Sequence, residues 1–186
     1  MPNWCNNQLT ISHPDKSMID RALKAWNAGR FLDEFIPVPQ DLKETVKGFM
    51  GDDKEQKKLE KKQARNIKKY GHATWWDFCV SEWGTKWDIG LTSENDNEPH
   101  IYSDHGFHVY FDSAWSPPIQ AYIKLLEMGF KIEAHYYEGG MGFCGMFIEG
   151  KDYEFNTDDI KSIPADLRNM FDIEENYEVI EEEKSE

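Results

Sequence analysis

Gly106-Phe-His-Val-Tyr-Phe-Asp-Ser-Ala-Trp-Ser-Pro-Pro-Ile-Gln-Ala-Tyr-Ile-Lys-Leu-Leu-Glu-Met-Gly-Phe-Lys-Ile-Glu-Ala-His-Tyr-Tyr137 reads as strand, helix, strand. Gly106 to Ala114 and Phe130 to Tyr137 are rich in aromatic and β-branched residues, as strands are. Between them Ile119, Tyr122, Ile123 and Leu126 recur at helical spacing. Ser116-Pro117-Pro118 suits the start of that helix, because serine can cap and proline loses nothing in a first turn. Gly129 closes it.

The same grammar extends in both directions. Upstream, Asn6 to Ser12 alternates polar with apolar and ends at His13-Pro14, a strand stop. Asp15 to Ala28 carries Ile19, Leu23 and Trp26 at helical spacing, with Asp15 or Ser17 as N-cap and Gly29 past the end. Phe31 to Pro39 holds two prolines and reads as an extended edge segment. Asp41 to Tyr70, poor in apolar residues, reads as an exposed helical hairpin broken at Gly48 and Gly51. Thr74 to Ser81 reads as helix or loop, Gly84 to Gly90 as a glycine-bounded strand, Glu94 to Pro99 as a turn, and His100 to Asp104 as another strand. Downstream, Gly142 to Gly150 and Tyr153 to Phe155 complete a strand or hairpin. Two strand–helix units around one antiparallel sheet, helices on one face, make a ferredoxin-like α+β fold. The expected domain is residues 1–156 with a charged helical insertion at about 43–72. Residues 157–186 form an acidic extension, with 179–186 expected to be disordered.

The 186 residues suit one domain that buries a core without staples. Cys5, Cys79 and Cys144 are odd in number and lack zinc-site spacing, and no segment reads as a signal peptide or membrane span. A reducing cytoplasm is the expected location. The net charge of −14 opposes attraction to nucleic acid or anionic membrane. It is unevenly placed: Lys43 to His72 holds ten Lys/Arg against five Asp/Glu, whereas Gly145 to Glu186 holds four against fourteen. The basic insertion is therefore the candidate for any direct nucleic-acid contact.

Met1-Pro-Asn-Trp-Cys-Asn-Asn7, Trp83-Gly-Thr-Lys-Trp-Asp88, Ala114-Trp-Ser-Pro-Pro118 and Tyr137-Glu-Gly-Gly-Met-Gly-Phe-Cys-Gly145 occur in this order. Together they resemble the YubB/Api92-like (DUF1281-type) family of phage and plasmid proteins. The resemblance spans most of residues 1–156 and implies a ferredoxin-like domain and a mobile-element origin. It carries over no functional residues, and the charged insertion and acidic extension lie outside it.

Four of the seven tryptophans fall between Trp75 and Trp87. Such density marks a core hub or a binding surface. On a strand, Thr85, Trp87 and Ile89 would face one way, Lys86 and Asp88 the other. Trp83, Trp87 and Trp115 with Lys86, Tyr137 and Glu138 form the candidate ligand set, the rings stacking on a base or sugar and Lys86 meeting phosphate. The plainer alternative packs the rings beneath the sheet. Tyr136 to Gly145 has four glycines but lacks the Lys-Ser/Thr of a phosphate loop, so a tight hairpin is favoured, with Glu138 its plausible polar contact. Among His100, His105, His108 and His135, positions 105 and 108 diverge on a strand, and no fourth ligand can be named. No metal or cofactor is assigned, and no catalytic residue. Cys79 and Cys144 read as buried small hydrophobes. Pro2, if methionine is removed, would expose a secondary amine able to act as a base.

The leading expectation is a non-enzymatic accessory protein that binds a host protein or small ligand through an aromatic-rich surface, in one form a host-defence inhibitor. A nucleotide-sequestering protein with a Trp-lined pocket is the second. A small enzyme on nucleotide or sugar substrates, using Glu138, Asp88 or His135, is the third.

Overall fold

The computed structural model describes residues 3–49, 51–91 and 98–175. The elements run β1 (Trp4–Ser12), α1 (Lys16–Asn27), α2 (Phe31–Phe35), α3 (Gln40–Lys43), α4 (Asp53–Tyr70) and α5 (Trp75–Phe78), which passes into a π-helical turn, Cys79–Trp83. Then follow β2 (His100–Ser103), β3 (Gly106–Ala114), α6 (Ile119–Glu127), β4 (Lys131–Glu138), β5 (Phe143–Ile148), β6 (Lys151–Asn156) and α7 (Ala165–Met170). Pro2, most of the 94–99 turn and residues 179–186 lie outside the described residues.

The strands form one sheet in the order β2-β3-β1-β4-β5-β6, every neighbouring pair antiparallel. Its first four positions are the ferredoxin-like arrangement, with α1 following β1 and α6 joining β3 to β4 across it. The expected α+β fold is thus observed, and β5 and β6 widen it. Leu9 stands between Val109 and Ala134, and Ala134 faces Phe147, so one apolar row crosses four strands. That row packs with Ile19, Ala22 and Trp26 of α1 and Ala121, Tyr122 and Leu125 of α6 in the main core. Asp15 caps α1 by accepting from the Ser17 N–H.

By alternation, Trp4, Thr10, His108, Tyr110 and His135 belong to the opposite face. At its β4–β5–β6 end the C-terminal segment lays Ile163, Leu167 and Ile173 in a second buried cluster with Tyr137 and Cys144. The extension after residue 156 is therefore packed on the sheet through residue 173.

Three local expectations are corrected. Gly84–Gly90 is not a strand, because its side chains hold it as a loop. Thr85 Oγ1 donates to Ala114 O at 2.9 Å, and the Asp88 carboxylate accepts from the Leu32, Asp33 and Ile89 N–H groups. Phe31–Phe35 is helical rather than extended. Asp88 satisfies the N–H groups of its first turn, and Phe31, Leu32 and Phe35 are buried together. The insertion is a single 18-residue helix, α4, preceded by the four-residue α3. Asn66 fixes it through Thr45 Oγ1 and Ala73 O.

Candidate functional site

The segments 83–88 and 114–118, separate in sequence, form one clamped unit. Ser116 Oγ donates to Gly84 O at 2.6 Å, Thr85 Oγ1 to Ala114 O, and Ser113 Oγ to Ser116 O. Ser116 thus ties two loops together instead of capping α6, which has no side-chain cap. Gly84 has φ +89°, and a Cβ there would lie 3.1 Å from the Ile119 nitrogen. Only glycine meets both demands.

This clamp displays tryptophans. Trp4 and Trp87 approach with ring centroids 5.7 Å apart, and the Trp115 N–H donates to Asn3 O at 3.0 Å, which brings Trp115 to the start of β1. Trp4, Trp87 and Trp115 keep 47 %, 39 % and 48 % of their surface exposed. Trp115 also has φ +75°, uncommon for a bulky residue. Lys86 Nζ sits 4.4 Å from the Trp87 ring centroid, a cation–π contact. Trp83 differs: it is buried, and its Nε1 donates to Ile36 O at 2.9 Å.

A pocket of about 410 Å³ opens beside Trp87. Its apolar lining is Val38, Trp75, Cys79, Trp83 and Trp87; Arg30, Lys43, Lys86, Asp33 and Asp88 add the charge. Lys43 pairs with Asp33 at 2.7 Å and Arg30 with Glu34 at 2.7 Å, whereas Lys86 makes no ion pair among the described residues. Burial raises the Asp88 pKa to about 6 despite the three N–H donors. Burial also pushes the Cys79 thiol up to about 12, so it lines the pocket as a neutral, unreactive group.

Trp83, Lys86 and Trp87 therefore meet in this pocket, and Trp115 stands at the adjoining corner. Tyr137 and Glu138 do not join them. Tyr137 is buried in the cluster under the C-terminal segment, its ring 6.0 Å from that of Phe171. Glu138 is buried, and its carboxylate accepts from the Gly140 and Met141 N–H groups, closing the β4–β5 turn. His100 and His108 pair across β2 and β3, while His105 lies in the turn with Nδ1 3.2 Å from His13 O. Among the described residues no group of three or more His, Cys, Asp or Glu is placed to hold a metal ion. Burial lowers the pKa of His108 and His135. Sequence reasoning missed Trp4, Trp75, Arg30, Val38 and Lys43 as site residues. Trp4 and Trp75 stood in quoted stretches, but no spacing rule links 4, 30, 38, 43 and 75.

No family model matches the chain, and no curated protein matches it. The chain is similar to the crystal structure of a protein api92 from Yersinia pseudotuberculosis, of the family model DUF1281, with 12% identity and a TM-score of 0.43. The alignment covers 84% of this chain and 98% of that one. No helix among the described residues is long and apolar enough to cross a membrane.

Proposed function

We propose that the protein is a non-enzymatic binding protein whose pocket beside Trp87 takes a planar anionic ligand of the nucleotide class. The observation that carries this reading is the pairing of Trp87 with Lys86 at the rim of an aromatic-lined cavity. An exposed ring offers stacking worth about 1–3 kcal/mol per base, and a cation with no carboxylate partner among the described residues offers charge to a phosphate. About 410 Å³ lies within the usual range for small-ligand sites. Asp88 and Glu138 accept backbone N–H groups, which favours binding over acid–base catalysis. A partner protein seated on Trp4, Trp87 and Trp115 is the second reading, favoured by three half-exposed tryptophans at one corner. A phage or plasmid setting, a bacterial cytoplasm and a host-defence role belong to the proposal too, through the motif resemblance.

Intrinsic tryptophan fluorescence titrated with AMP, ADP and ATP, with inorganic phosphate as ionic control, tests the pocket. Saturable quenching by the nucleotides, weakened at least tenfold by Trp87→Ala, is expected. A flat response to all three at millimolar concentration would overturn it.

A further inference from the structure

Helix α4 carries eight Lys/Arg against three Asp/Glu, a local excess of five positives in a chain of net charge −14. They are not scattered. At about 100° per residue, Lys54, Lys57, Lys58, Lys61, Arg65 and Lys68 fall within one stripe about 100° wide, all exposed. The opposite side holds Leu59, Gln63, Asn66 and Tyr70, which anchor the helix: Gln63 bonds Val46 O, Asn66 bonds Thr45 and Ala73, and Tyr70 bonds Asp41. Lys58 bonds Glu55 at 2.6 Å; the other five cations of the stripe make no ion pair among the described residues. The Asp52 N-cap and the left-handed Gly71 C-cap, φ +80°, fix both ends. The result is a capped rod whose outward face is a row of cations, five of the six without an ion-pair partner among the described residues.

We propose that this face binds the phosphate backbone of a duplex nucleic acid without reading its bases. Lys54 to Lys68 spans about 21 Å, a length over which a duplex presents roughly twelve phosphates. The stripe has no aromatic ring to stack on an unpaired base, so single-strand binding lacks its chemistry, and its evenly spaced cations on long stems match phosphates spread along a duplex. It also lacks the apolar anchor on which an acidic protein partner would depend. The acidic remainder of the chain does not forbid the contact, because charge beyond about 8 Å is largely screened at physiological ionic strength.

Fluorescence anisotropy with short labelled DNA and RNA duplexes is the test. Binding of at least one duplex is expected, indifferent to base sequence. Its log–log salt slope should be near −4, for four to five neutralised phosphates at about −0.9 each. The variant Lys57→Glu/Lys61→Glu/Arg65→Glu should lose at least tenfold in affinity with an unchanged unfolding midpoint. Trp87→Ala should leave duplex binding intact, so failure of the pocket and failure of the stripe are told apart. No binding of either duplex at low salt would overturn the proposal. So would binding that ignores the triple variant, preference for one base sequence, or binding of poly-glutamate in place of the duplexes.

Discussion

Two further residues bear on the site beside Trp87 and Lys86. Trp115 holds φ +75° while leaving half its surface in water, so neither backbone preference nor burial accounts for its identity. A left-handed conformation costs a non-glycine residue about 1–2 kcal/mol. Trp115→Gly should therefore leave the urea midpoint unchanged or raised while weakening nucleotide quenching; a fall in midpoint would show that the ring is structural. Asp88 is the second. With its pKa raised to about 6, it is ionised at neutral pH and neutral below that value. Because it lines the pocket, its protonation removes a negative charge there. Nucleotide affinity should therefore rise as pH falls from neutrality through about 6. Asp88→Asn should remove that part of the pH dependence and leave only the ligand's own phosphate titration; identical profiles would exclude Asp88 as the source.

At the scale of elements, the 83–88 and 114–118 segments act as one hinge-free clamp. Thr85 is buried and spends its hydroxyl on Ala114 O, so Thr85→Val should cost about 1–2 kcal/mol in chemical denaturation. Gly84→Ala should cost more, since it adds a left-handed strain to a clash with the α6 backbone. Both should weaken ligand binding by releasing Trp87. The segment also shows where sequence reading loses its grip. Glycines at both ends and alternating apolar residues suggested a strand, yet the segment joins no strand ladder among the described residues. Thr85 and Asp88 bond to backbone groups about 29 and 56 positions away in the chain, and those distant partners decide its shape. The 106–137 unit was legible because its pattern is local: strand alternation, a proline start, helical spacing and a glycine stop all lie within the segment they describe.

At the scale of the molecule, residues 157–173 complete a face of the sheet rather than trail from it. Leu167 is 2 % exposed against Tyr137 and Cys144, so Leu167→Ala should cost about 2–3 kcal/mol. Truncation after Asn156 should uncover the Tyr137 cluster and promote dye binding to exposed apolar surface; a truncated chain as stable as the whole would show that the packing is incidental. The acidic composition hid this role, because three buried apolar residues among many carboxylates leave little periodic signal. The sequence by itself determined the α+β class, the β1–α1 and β3–α6–β4 units and the cationic character of the insertion, since periodicity, capping and charge act between near neighbours. Only the tertiary structure decided that Trp83 is core while Trp87 and Trp115 face water. It also parted Tyr137 and Glu138 from them and set Arg30 and Lys43 beside Lys86, because those relations depend on contacts between segments distant in the chain.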